Sequence, residues 1–319
     1  MLIWKSVVRS IWKKASRKTV LSAVFFFPQE RKKALERWLR GREEFRKLQL
    51  ADCVVVSFGK SGRTWLRVLL SRVYQLKHGL AQRYLLGFDN LHHKNPAIPK
   101  IFFTHDNYIK DYTQHLDSKV DFYEKKVILL VRDPRDVVVS QFFQWKFRMK
   151  PNKKSLNDYP VSEAVSVFEF AMQPDAGLPK IIRFMNSWAQ EIPRIKDFLV
   201  VRYEDMRSDP EKVLKKMLDF IGTPATDGQI KEAVTFASYD NMKQLEQKKA
   251  FWLSGGRLTP KDRQNPDSYK VRRAKVGGYR DYFEEHEIAA IEELIQVTLA
   301  PSFGYGSNDT ANTSAIVGL

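Results

Sequence analysis

Four apolar runs, near residues 53–58, 101–104, 127–131 and 198–202, are short, rich in β-branched side chains and free of polar alternation. Such runs predict strands buried on both faces. Between and after them, apolar residues recur every three to four positions, which predicts helices near 64–77, 134–148, 178–190, 210–221 and 285–298. Strands alternating with helices imply a parallel sheet covered on both sides, a three-layer α/β/α fold. Ligands of such sheets sit at the carboxyl ends of the strands, where Lys60, His105, Arg132 and Tyr203 all emerge.

The same periodicity extends upstream. Ala34, Leu35, Trp38, Leu39, Phe45 and Leu48 predict an amphipathic helix leading into the first strand. Trp4, Val7, Val8, Ile11, Trp12 and Ala15 mark a second one, with Lys5, Arg9, Lys13, Lys14, Arg17 and Lys18 filling its other face. The expected organisation is a basic helical extension over 1–50, one α/β domain over 51–305 and a patternless tail over 306–319. The stretch 254–278, rich in Gly, Pro, Lys and Arg, is expected to be a mobile loop able to act as a lid.

Charge sharpens this division. The 319-residue chain has a net charge of +17, and residues 1–50 hold fourteen Lys or Arg against four Asp or Glu. The first 29 residues contain no acidic side chain. Tryptophans opposite lysines and arginines suit a helix lying in an anionic headgroup layer, which makes a peripheral site on the cytoplasmic face of a membrane one expectation. A helix packed on the domain and an organellar targeting segment stay open. No run is long enough to span a bilayer. Cys53, the lone cysteine, falls in a buried strand and reads as packing.

Two strand-to-helix junctions carry the chemistry. Val54-Val55-Val56-Ser57-Phe58 breaks into Gly59-Lys60-Ser61-Gly62-Arg63-Thr64-Trp65, in which glycines turn backbone N–H groups toward an anion at the start of a helix. Its spacing differs from the nucleoside-triphosphate P-loop, which disfavours a kinase. The second junction runs from Val127 to Arg132, then Asp133 as N-cap and Pro134 as the first helical residue. Ser140 lies two helical turns beyond that cap and faces the side of Arg132, so one anion can touch both.

Together these segments resemble the cofactor-binding elements of sulfotransferases that use 3′-phosphoadenosine 5′-phosphosulfate (PAPS). That resemblance implies that Lys60, Ser61, Gly62, Arg63 and Thr64 hold the 5′-phosphosulfate and that Arg132 and Ser140 hold the 3′-phosphate. Tyr203-Glu204-Asp205 is similar to the segment whose tyrosine meets adenine, with Trp65 and Tyr239 as further aromatic contacts. Arg272-Arg273-Ala274 is similar to the family's Arg-Lys-Gly, which closes on the 3′-phosphate. Arg63 departs from the family's usual threonine, and Ala274 from its glycine. His105, in Phe103-Thr104-His105-Asp106, resembles the catalytic histidine, with Asp106 as the competing base. The implied activity is in-line transfer of a sulfuryl group to a hydroxyl acceptor without a metal, Lys60 neutralising the leaving oxygen. A carbohydrate or glycolipid is the expected acceptor, and nucleic acid is not an expected partner. His92 and His93 lack ligand spacing and read as surface loop.

Overall fold

The computed structural model describes residues 19–24, 26–160, 164–251 and 257–306. The proposed interfacial helix over 4–15 and nearly all of the tail lie outside these residues. Four parallel strands, β1 (Cys53–Ser57), β2 (Ile101–Thr104), β3 (Lys126–Val131) and β4 (Asp197–Arg202), form one sheet in the order β2-β1-β3-β4. Val54 pairs with Phe102 on one side and Val127 on the other, and Leu129 pairs with Val200. The strands fall within a residue or so of the predicted runs because all five residues of β1, and Val127–Val131 of β3, are buried.

The helices are α1 (Gln29–Leu50), α2 (Arg63–Lys77), α3 (Ile109–Thr113), α4 (Pro134–Phe147), α5 (Pro151–Leu156), α6 (Val167–Met172), α7 (Leu178–Ala189), α8 (Tyr203–Ser208), α9 (Pro210–Ile221), α10 (Asp227–Phe236), α11 (Tyr239–Gln247) and α12 (Glu285–Thr298). On one face Val54, Val56, Val127 and Leu129 pack with α4, α6, α7 and α12, burying Trp145, Phe170 and Trp188. On the other, Val55, Ile128 and Leu130 pack with α2, α9, α10 and α11 around Tyr74 and Met217. Fully burying one such aliphatic side chain stabilises by about 1.5–3 kcal/mol, so the doubly covered strands are a main source of the domain's stability.

Helix α1 is tied into the domain rather than projecting from it. Arg37 forks onto both carboxylate oxygens of Asp111 at 3.0 Å and donates to the backbone oxygens of Leu156 and Asn107. Gly41 lets the helix cross closely, since a Cβ there would stand 2.1 Å from the Tyr108 carbonyl oxygen. Trp38 and Phe45 pack on Tyr112, and Leu48 joins the core. The expected boundary at residue 50 falls at the C-terminal end of this helix.

Candidate active site

At the carboxyl ends of β1, β2 and β3 lies a cleft of about 730 Å³. Its floor is the turn after β1, where Lys60 takes φ 74° and Gly62 φ 94°. A side chain at Gly62 would put Cβ 2.6 Å from the Tyr203 ring. Gly62 is also the N-cap of α2 and has no side chain with which to cap it; the first turn carries Arg63 and no carboxylate. A helix start carries partial positive charge, so this end complements an anion supplied from outside. Burial, then the neighbouring Arg148 and Arg132, push the Lys60 ammonium down to about 7. Negative charge beside it would reverse that shift.

The turn after β3 adds a second cationic wall. Asp133 caps α4 by accepting from the Arg135 N–H, with Pro134 at the first position, as the sequence predicts. Arg132 stacks 4.3 Å over the Tyr203 ring, donates to the Lys275 carbonyl at 3.0 Å and pairs with Asp136 at 3.1 Å. Its Nε is buried and has no hydrogen-bond partner. Ser140 lines the same cleft.

His105 follows β2. Its Nδ1 lies 2.7 Å from the Ser57 carbonyl oxygen, which can only accept, so the ring proton sits on Nδ1 and the lone pair on Nε2. Arg63 Nη2 donates to that Nε2 at 2.5 Å. Burial, then the Arg63 charge, hold the imidazole well below its ordinary pKa, so it stays neutral at pH 7. Asp106 is placed differently. It has φ 53°, its carboxylate pairs with Lys119 at 2.7 Å, and it does not line the cleft. Of the two candidate bases, His105 alone faces the cleft.

Every other predicted residue lines the cleft except Ser61, which is buried. Trp65 donates its indole N–H to the Ala237 carbonyl at 2.9 Å and meets Tyr203 edge to face. Tyr239 donates to the Arg272 carbonyl at 2.8 Å. Arg272 lies 3.6 Å over the Phe143 ring, and the exposed Arg273 pairs with Asp281 at 2.7 Å. Ala274 has φ 50°, the left-handed backbone that favours the glycine of the resembling family.

Three carboxylates were invisible to sequence reasoning. Asp136 accepts from Arg132 and from the backbone N–H groups of Gly277 and Tyr279, at 3.0 Å each for the latter two, which fastens the C-terminal basic segment to α4. Glu246, fully buried, accepts from the N–H groups of Lys270 and Val271 and pairs with Arg148. Much of the segment expected to be a mobile lid is thus anchored at both ends of 270–279. Glu44, on α1, accepts from Thr104, the residue before His105, at 3.2 Å, and burial raises it to about 7. His92 and His93 lie in the loop between α2 and β2, as expected.

A family model described as sulfotransferase domain matches residues 50–303. Flavonol 3-sulfotransferase of Flaveria bidentis is 25% identical over 288 residues, covering 83% of this chain and 88% of that one. Sulfotransferase 2A2 of Mus musculus is 27% identical over 188 residues, 58% of this chain and 61% of that one. Among solved structures, mouse sulfotransferase SULT7A1 complexed with PAP superposes with a TM-score of 0.55 at 22% identity, over 81% of this chain and 90% of that one. Retinol dehydratase in a complex with retinol and PAP superposes with a TM-score of 0.51 at 17% identity, over 82% and 83% of the two chains. These two structures share the fold.

Proposed function

Because this chain belongs to the sulfotransferase domain family, we propose that its cleft transfers a sulfuryl group from PAPS to a hydroxyl acceptor. One observation carries the reading: an uncapped helix start, a lysine on its turn, an arginine whose buried Nε has no hydrogen-bond partner, and a histidine lone pair meet in one cleft.

When bound, the donor supplies an electrophilic sulfuryl group. His105 Nε2 takes the proton of the acceptor hydroxyl, whose oxygen then attacks sulfur. Lys60 and the N–H groups at the start of α2 neutralise charge on the departing phosphate oxygen. Arg132, Ser140, Arg272 and Arg273 hold the 3′-phosphate, and Trp65, Tyr203 and Tyr239 frame the adenine. Gly62 admits the Tyr203 ring close to the phosphate turn. On the acceptor side, Asn107, Asn157, Tyr159 and Lys180 give a polar lining, which favours a hydroxyl-rich acceptor such as a carbohydrate or the head of a glycolipid. The basic pattern of residues 4–18 supports peripheral attachment to the cytoplasmic face of an anionic membrane. Sedimentation of the full chain with phosphatidylserine vesicles, against phosphatidylcholine vesicles, tests that placement.

The catalytic reading is tested with 3′,5′-adenosine bisphosphate (PAP) and labelled PAPS. PAP, but not ADP with magnesium, should raise the unfolding temperature of the wild type and not of Arg132→Ala. His105→Ala should keep PAP binding and lose roughly 10²- to 10⁴-fold in turnover. Stabilisation by ADP with magnesium alone would point to phosphoryl transfer instead.

A further inference from the structure

Lys270 stands two residues before the arginine pair of the C-terminal basic segment, outside every motif of the sequence. Its backbone is held from the protein interior. The fully buried Glu246 accepts from the Lys270 N–H at 2.8 and 3.0 Å and from the Val271 N–H at 2.9 Å. Lys270 itself is half-buried and lines the same cleft as Lys60, Arg272 and Arg273. Its ammonium donates to the Arg257 carbonyl oxygen. That bond uses one of three N–H groups and brings no ionic charge to balance the cation.

The charges around this lysine are mostly of its own sign. Burial, then the Arg148 and Lys60 charges, push its ammonium down to about 7 against the opposing pull of Glu246. Glu246 is also the carboxylate that acts on Lys60, and it pairs with Arg148 at 3.6 Å. One buried carboxylate thus stands against three cations: Lys60, Lys270 and Arg148. Arg257, whose charge also bears on Lys270, bears in turn on Arg63, the first residue of α2. The excess positive charge therefore gathers around the turn after β1 and the helix start it opens, the part of the cleft read above as the 5′ side of the donor.

We propose, resting on the sulfotransferase reading, that Lys270 is a second cation for the 5′-phosphate of the donor, meeting its oxygens from the C-terminal segment while Lys60 meets them from the turn after β1. A phosphate shared by the two ammoniums supplies the negative charge that Glu246 alone does not. Residues 270–273 then span the nucleotide, with Lys270 on the 5′-phosphate and Arg272 and Arg273 on the 3′-phosphate. Glu246 is a positioning residue for the first of these contacts, as Asp136 is for the segment that follows. One strap thereby selects for ligands that carry both phosphates.

Calorimetric titration of the full chain with PAP and with adenosine 3′-monophosphate, which lacks the 5′-phosphate, tests this. Lys270→Met keeps the length of the side chain and removes its charge. It should weaken PAP by roughly ten- to a hundred-fold, the range expected for a charge-assisted contact, and leave adenosine 3′-monophosphate within about two-fold of wild type. Lys270→Arg, which keeps the charge, should recover most of the loss, and unfolding curves without ligand check that both variants fold. Equal weakening of the two ligands means that Lys270 only shapes the segment, and this would overturn the proposal. So would PAP affinity in Lys270→Met within about two-fold of wild type. Absence of PAP binding to the wild type overturns the underlying sulfotransferase reading and this inference with it, whereas wild-type PAP binding with either of the other results overturns the inference alone.

Discussion

Asp136→Asn isolates the knot that joins Arg132 to the C-terminal basic segment. Asp136 is 3% exposed at its side chain. One oxygen, Oδ2, serves Arg132 and Gly277, and the other, Oδ1, serves Tyr279. The asparagine's cheaper orientation turns its amide nitrogen toward the Tyr279 N–H, leaving that donor unsatisfied at a cost of about 1–3 kcal/mol. Of the two bonds kept by the amide oxygen, that from Gly277 falls from charge-assisted to neutral and that from Arg132 loses its ion-pair partner, about 1 kcal/mol each. The total is about 3–5 kcal/mol, the range seen when one partner of a buried ion pair is removed. Urea unfolding at pH 7 should therefore show a lower midpoint with little change in slope, and PAP affinity should fall at least roughly ten-fold as Arg132 and residues 272–279 lose their common anchor. A variant with stability within about 1 kcal/mol of wild type and unchanged PAP affinity would refute this account of the clamp.

Three further outcomes are expected. Since Lys60 is held near 7 without ligand and nearby anionic charge raises it, PAP binding at pH 8.5 should take up a proton, and affinity should weaken as pH rises above 7, by at most about ten-fold per pH unit for one proton. Calorimetry in two buffers of different ionisation enthalpy measures the uptake, and a value of zero contradicts the assignment. His105 is depressed, so it loses its base form only when pH falls through a value below 6.5. An acid limb of kcat/KM at or above 6.5 would count against His105 as the base. Gly62→Ala combines a left-handed backbone with a clash against Tyr203, and should cost about 1–3 kcal/mol in thermal stability and weaken PAP together with it; normal PAP binding in this variant would dissociate the turn from the donor site.

The strand ends and the helices that leave them were readable because each rests on local pattern. Val127–Val131 is buried on both sides, and Asp133-Pro134 is a helix start whatever surrounds it. Lys60, Arg132, His105 and Tyr203 follow directly from those ends. Asp136, Glu44 and Glu246 were not readable, because a carboxylate on a helix has the pattern of a solvated face until its partner is known. Two of the three partners of Asp136 lie 141 and 143 residues away. Nor does any spacing reveal that Arg63 turns its guanidinium to His105, 42 positions on. Ser61 is a different case: motif membership gives it a place in the loop, and no local pattern announces that it is buried there.

Helix α1 carries a consequence for how the enzyme is made. Its clamp partner Asp111 lies 74 residues downstream of Arg37. At ribosomal rates of 5–20 residues per second, that span takes roughly 4–15 s to appear. Throughout that interval Trp38 and Phe45 have no native surface to cover. The loop bearing His105 is consequently fixed only when two segments made seconds apart find one another, and the nascent α1 is the stretch that chaperones have the longest opportunity to hold.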